Sequence, residues 1–149
     1  MIVSIGFDHG AVPLRDALLV SLREDGHEVL DHGTDSAGPV DYPDYARLVC
    51  RDVRQGRAQI GILCCSTGIG MSMAANKYPG IRAALVRYDD EAALTRRHNN
   101  ANVLCMGAFH TTPYEARILL RTFLKSTFEG GRHARRVGKF TEWEQEDNI

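Results

Sequence analysis

Short apolar runs alternate with amphipathic segments along the whole chain, and this alternation constrains the fold more than any other feature. Ile2 to Ile5, Glu28 to Leu30, Ile60 to Cys64, Ile81 to Val86 and Val103 to Met106 read as five strands. Leu14, Leu18 and Leu22 repeat at helical spacing, Pro13 is tolerated in the first turn, and Gly26 ends that helix. Pro43 begins a helix with Asp41 near its N-cap and with Ala46, Val49 and Val53 on its inner face. Further helices are read from about Ile69 to Lys77 and from Asp90 to His98. Thr112-Pro113-Tyr114-Glu115 has the form of a capping box with proline at the first helical position, and it opens a helix carrying Ala116, Leu119, Phe123 and Leu124. Strands separated by helices make βαβ units, hence an α/β domain with a parallel sheet covered on both faces. A chain of 149 residues holds one such domain, 1–149, with no internal repeat and no linker. The tail carries Arg132, Arg135, Arg136 and Lys139, then Glu142, Glu144, Glu146 and Asp147, and reads as a charged surface helix.

Lys and Arg total 18 against 19 Asp and Glu, so the net charge of −1 gives no pull toward nucleic acid or an anionic membrane. No apolar run approaches the ~20 residues of a membrane span. The first residues lack the basic region and long apolar stretch of a signal peptide, which leads us to expect a cytoplasmic protein. The cysteines, Cys50, Cys64, Cys65 and Cys105, are too few for a disulfide scaffold and read as reduced thiols. Cys64 and Cys65 are neighbours on a strand and should point to opposite faces. There is no Cys-x-x-Cys and no His-x-x-x-His, so a structural metal is not expected.

Open parallel sheets bind ligands at the C-terminal ends of their strands. The first strand delivers Asp8 and His9 there, the third delivers Cys64 to Gly70, and the fifth delivers Gly107 to His110. Ser66-Thr67-Gly68-Ile69-Gly70 is a glycine-rich turn between a strand and a helix, whose N–H groups suit an anion. It reads equally as a plain tight βα turn. It is not a Walker loop, and Met73 takes the place of the third glycine of a dinucleotide fingerprint. Asp89 lies about where a ribose-binding acid would sit, which keeps a nucleotide-binding module open. Cys65, where strand meets loop, is placed to gain thiolate character and serve as nucleophile or proton acceptor; the alternative is a small buried apolar residue. Cys50, Cys64 and Cys105 fit that alternative. His9 and His98 stand at loop ends that could carry ligands, whereas His27, His32, His110 and His133 have no such context. Arg132 and Arg136 share one helix face and could bind phosphate together, or could be a solvated basic face.

These pieces resemble the type B ribose-5-phosphate isomerases, a family that also holds galactose-6-phosphate and allose-6-phosphate isomerases. The matching segments are Gly6-Phe7-Asp8-His9, Asp41-Tyr42-Pro43, Gly61 to Lys77, Gly80-Ile81-Arg82-Ala83, His98 to Val103, and Phe128 to His133, in the family's order. The resemblance implies a Rossmann-like three-layer sandwich with a five-stranded parallel sheet and a C-terminal helix. It also implies a homodimer with two active sites at the interface, a small phosphorylated sugar as substrate, and no cofactor or metal.

On the matching positions, the resemblance makes Cys65 the base that moves a proton between C2 and C1, with Thr67 positioning the reacting oxygens. The amides of Ser66, Thr67, Gly68, Ile69 and Gly70 would stabilise an enediolate. His98 would open the furanose ring beside Asn99, both supplied by the partner subunit. Asp8 would hold sugar hydroxyls, and His9, Arg132 and Arg136 the phosphate. The expected activity is interconversion of ribose 5-phosphate and ribulose 5-phosphate. The alternatives are isomerisation of a four- or six-carbon sugar phosphate, or a non-catalytic sugar-phosphate or nucleotide binding module. Two departures stand out. Ser66 replaces a common glycine, and Phe109 stands where an arginine often binds phosphate.

Overall fold

The computed structural model of the chain describes residues 1–35 and 38–146. Its strands are β1 (Ile2–Phe7), β2 (Glu28–Asp31), β3 (Ile60–Cys65), β4 (Ala83–Leu85) and β5 (Val103–Gly107). Its helices are α1 (Val12–Glu24), α2 (Tyr42–Arg54), α3 (Ile69–Ala75), α4 (Asp89–Asn99), α5 (Pro113–Lys125) and α6 (Arg132–Glu146). All strand pairs are parallel, and the sheet order is β2-β1-β3-β5-β4.

Side-chain alternation along the strands builds two cores. Val3, Ile5, Ile62, Cys64, Leu104 and Met106 pack against Leu14, Leu18 and Leu22 of α1 and Leu120 and Phe123 of α5. Leu63, Cys65, Val103 and Cys105 face the other way, against Ala46, Val49 and Cys50 of α2 and Met71 and Ala75 of α3. Cys64 and Cys65 therefore lie on opposite faces, as their adjacency on a strand predicts. Completely burying one such Leu or Phe is worth about 1.5–3 kcal/mol, and both layers depend on many of them.

Three local details differ from the sequence reading. The fourth strand is shorter than Ile81 to Val86. At this sheet edge, side chains take over the backbone groups: Asn102 Oδ1 accepts from Arg82 N at 2.8 Å, and the Asn76 amide bonds both N and O of Ala83. The helix expected to reach Lys77 ends at Ala75. Asp41 occupies the N-cap of α2, but its side chain makes no cap bond. Pro43 has no N–H to offer, and Asp44 N donates to the Asp41 carbonyl at 3.2 Å. The Thr112–Glu115 capping box forms as read, with Glu115 N donating to Thr112 Oγ1 at 3.2 Å and Thr112 N to Glu115 Oε2 at 2.8 Å. Asp147 lies outside the described residues.

A buried carboxylate ties the β1 side of the sheet together. Asp52 on α2 accepts from Ser4 Oγ at 2.7 Å and from Arg57 Nε at 2.9 Å, and it lies 2.6 Å from His32 Nε2. Burial alone would raise this carboxyl, but the three donors outweigh it and hold Asp52 below the ordinary value.

Candidate active site

The parallel register brings the exits of β1, β3 and β5 side by side. Asp8 N donates to the Cys64 carbonyl at 3.2 Å, while Ala108 N and Phe109 N donate to the carbonyls of Cys65 and Ser66 at 3.0 and 2.8 Å. The segment after β3 is thus held on both flanks. Gly107 permits the approach on the β5 side, since a Cβ there would lie 2.3 Å from the Thr67 carbonyl carbon. Asp8 is buried, and its Oδ1 accepts from Gly10 N at 2.9 Å. Burial raises its carboxyl above the ordinary value, although that bond and nearby His9 oppose the rise. His9 is exposed, and its Nδ1 accepts from Val40 N at 3.2 Å.

Within the loop, Gly68 N donates to Cys65 Sγ at 3.1 Å. Gly68 reaches this position with φ +76°, and a Cβ on it would stand 2.9 Å from the Met106 carbonyl carbon. Ile69 N is turned inward too, donating to Thr67 Oγ1 at 3.3 Å. So the loop is not a uniform anion cradle. Two of its amides serve its own side chains, while among the described residues those of Thr67 and Gly70 have no protein acceptor. Cys65 is buried, only 5% exposed, with an N–H aimed at its sulfur. A donor in that place fixes the sulfur at the base of the loop.

The other cysteines lack such a setting. Burial pushes the Cys64 and Cys105 thiols strongly upward and the Cys50 thiol to about 12. They are neutral packing groups, as their sequence context suggests.

His98 and Asn99 end α4, where a second group of residues collects. The His98 ring stacks on His133 of α6, with centroids 4.2 Å apart and planes within 8°. Glu129 lies at the edge of both rings, its Oε2 3.6 Å from His98 Nε2 and 3.8 Å from His133 Nε2. Its other oxygen accepts from Arg97 Nε at 2.6 Å. That guanidinium holds the Glu129 carboxyl below the ordinary value. Burial, then His98 and Arg132, push His133 below the ordinary histidine value. Arg132 and Arg136 are exposed on α6, and among the described residues neither guanidinium has a hydrogen bond or ion pair. Sequence reasoning missed Glu129 and His133, because the stack joins two helices far apart in the chain.

Among the described residues, His98, Glu129 and His133 form a group whose spacing suits a metal ion, with ligand atoms within 4.8 Å of one another. The parallel rings argue against it in this arrangement, since imidazole lone pairs lie in the ring planes and parallel planes do not converge on one ion.

Among the described residues, no hydrogen bond, ion pair or ring contact joins the Cys65 group to the His98 group. Phe109, 73% exposed, borders the first group at the Ser66 flank. A cavity of about 470 Å³ between β4, α4 and α6 touches the second group through Asn99, and its lining does not include the Cys65 loop.

Residues 3–140 match the family model described as Ribose/Galactose Isomerase. The chain belongs to this family. It is 40% identical over 146 residues to ribose-5-phosphate isomerase B of Escherichia coli, covering 98% of each chain. It is 37% identical over 147 residues to D-erythrulose-4-phosphate isomerase of Pectobacterium atrosepticum, covering 97% of this chain and 96% of the relative. The solved structure of ribose-5-phosphate isomerase B from Clostridium thermocellum superimposes with a TM-score of 0.95 at 43% identity, covering 98% of this chain and 99% of that one. The family thus agrees with the five-stranded α/β sandwich described above. No described helix is long and apolar enough to cross a membrane.

Proposed function

We propose that this chain is an aldose–ketose isomerase that interconverts ribose 5-phosphate and ribulose 5-phosphate. The observation that carries the mechanism is the Gly68 N–H held 3.1 Å from Cys65 Sγ, beside the unengaged amides of Thr67 and Gly70. Cys65 as thiolate removes the proton from C2 of the open-chain aldose. The C2–H electron pair forms the C1–C2 double bond, and the carbonyl pair moves onto O1 to give an enediolate. The free amides and the Thr67 hydroxyl meet the charge that develops on the oxygens. Cys65 returns its proton to C1, and the O2 proton passes to O1, leaving the ketone at C2. The step is redox-neutral within the sugar, so it calls for no external oxidant and no cofactor.

Asp8, at the β1 exit, is assigned to the sugar hydroxyls. His9, Arg132 and Arg136 are assigned to the phosphate, since unpaired guanidinium groups on one helix face suit a dianion. His98 is assigned to ring opening, moving the O1 proton of the furanose and protonating the ring oxygen, with Asn99 beside it. The separation of the two groups within one chain favours a homodimer in which each site takes Cys65 from one copy and His98 from the other. Such a metabolic enzyme, with no described membrane-spanning helix, belongs in the cytoplasm.

Phe109 favours a second reading of the substrate. An exposed ring at the rim of the loop supplies no charge to a phosphate, and one relative of similar identity is named for a tetrose derivative. An isomerase assay over pentose, tetrose and hexose phosphates tests both readings. Turnover of ribose 5-phosphate above the others supports the first, and preference for another sugar supports the second. Binding without turnover of any would leave only the binding module.

A further inference from the structure

We propose that Glu129 and His133 are positioning residues for His98: the Glu129 carboxylate, anchored to Arg97 through one oxygen, turns its other oxygen to the edge of the His98 ring, and the His133 ring closes its flat side. The proposal rests on the ring-opening role given to His98 above.

Glu129 is fixed from both ends. Its backbone N donates to the Arg97 carbonyl at 3.0 Å, and its Oε1 is held by Arg97 Nε and Nη2, each at 2.6 Å. Only Oε2 is left for the histidines, and it lies at similar distances from both Nε2 atoms. These distances exceed a direct hydrogen bond, so the carboxylate acts on the rings mainly through its charge. His133 is anchored by its own backbone, its N donating to the Gly130 carbonyl at 3.0 Å. Its ring, 7% exposed and stacked on His98, has little room to turn.

The pair cannot carry two protons comfortably. Stacked imidazolium rings repel, and one carboxylate oxygen serves both. The charged groups around the stack decide which ring yields. Arg97 and Glu129 face it from α4 and the turn before α6, and Arg132 and Arg136 from α6. Burial and the two α6 guanidinium groups disfavour charge on His133. Proton exchange is thus directed to the more exposed ring, His98, which is the one that must trade protons with the sugar. A bare histidine at a helix end would have neither a fixed ring plane nor a preferred proton.

Glu129→Gln preserves the shape and removes the charge. In the full-length enzyme it should lower kcat for ribose 5-phosphate by about 3- to 10-fold. A tetrose 4-phosphate, whose O4 is esterified and so cannot close the ring, should lose no more than about half its turnover. On ribose 5-phosphate, the limb of the pH–rate profile that reports His98 should move to lower pH, because an imidazole beside a carboxylate holds its proton longer. Glu129→Asp, which restores the charge, should return that limb toward wild type. A purely structural role would lower the thermal midpoint and slow both sugars equally, leaving the limb in place. Equal losses or an unmoved limb overturn the proposal. His98→Ala separates its failure from that of the underlying reading. If His98→Ala slows both sugars equally, the ring-opening role itself fails. If His98→Ala shows the split and Glu129→Gln does not, only the positioning role fails.

Discussion

The Gly68 amide donates to the Cys65 sulfur across 3.1 Å, so the backbone of a glycine-rich turn is spent on one side chain and not on an incoming anion. In the proposed mechanism the loop then has two jobs: Gly68 holds the Cys65 sulfur in place, and Thr67 and Gly70 offer their amides to substrate oxygens. Gly68→Ala attacks the first job. Its φ of +76° and a Cβ 2.5 Å from Leu85 Cδ1 force the turn to move. We expect a fall in kcat of at least ~10-fold, together with a stability loss of ~1–3 kcal/mol from backbone strain. Steady-state kinetics beside denaturant unfolding measures the two separately. Full activity with a shifted Leu85 would show that the amide is not needed.

Complementation tests the two-chain site. Cys65→Ala and His98→Ala should each be inactive on ribose 5-phosphate. After subunit exchange at equal amounts, half the dimers are mixed and each has one intact site, so activity should recover to about a quarter of wild type. No recovery despite demonstrated exchange would put the whole site in one chain.

Phosphate recognition is tested on α6 and at position 109. Arg132→Ala or Arg136→Ala should raise KM by about 10- to 100-fold with a smaller effect on kcat, since charge-assisted bonds are worth ~1.5–3 kcal/mol. Phe109→Arg should lower the KM for ribose 5-phosphate, because it adds a guanidinium beside the Ser66 flank. An unchanged KM for every sugar would mean that position 109 does not border the phosphate.

The Asp52 network makes a stability prediction. Its carboxyl is lowered on folding, so its contribution is fully present above the ordinary value of 3.8 and disappears as pH falls through the lowered value. Wild-type stability should therefore decline as pH falls below about 4. Asp52→Asn should cost ~3 kcal/mol at pH 7, because it leaves Arg57 without its anion and Ser4 and His32 with a poorer partner, and it should flatten that decline. Urea titrations at several pH values measure both effects. An unaltered acid decline in Asp52→Asn would place its source in other carboxylates.

Legibility in the sequence followed the range of the interaction. Strand parity and helical spacing are local, so the two-faced sheet, the Thr112 capping box and the opposed Cys64 and Cys65 were readable. The end of the fourth strand was not, because side chains of Asn76 and Asn102 replace its outer pairings. Spacing also could not tell which loop amides face inward. His32 and His133 looked contextless because their partners, Asp52 and His98, are brought to them only by folding. Glu129 lay within a segment that matched the family, but nothing local to it indicated a role.

Exchange of the substrate C2 hydrogen with deuterated solvent isolates the proton transfer from ring opening, phosphate binding and product release. Cys65→Ala removes the proposed proton acceptor and little volume, and Cys64→Ala removes a thiol of the same size on the opposite face of the strand. The measurement is C2 exchange by NMR on an open-chain sugar phosphate, with wild type and each variant shown to be folded. The account predicts exchange with wild type and Cys64→Ala and none above background with Cys65→Ala. Persistent exchange in Cys65→Ala, or its loss in Cys64→Ala alone, would contradict it.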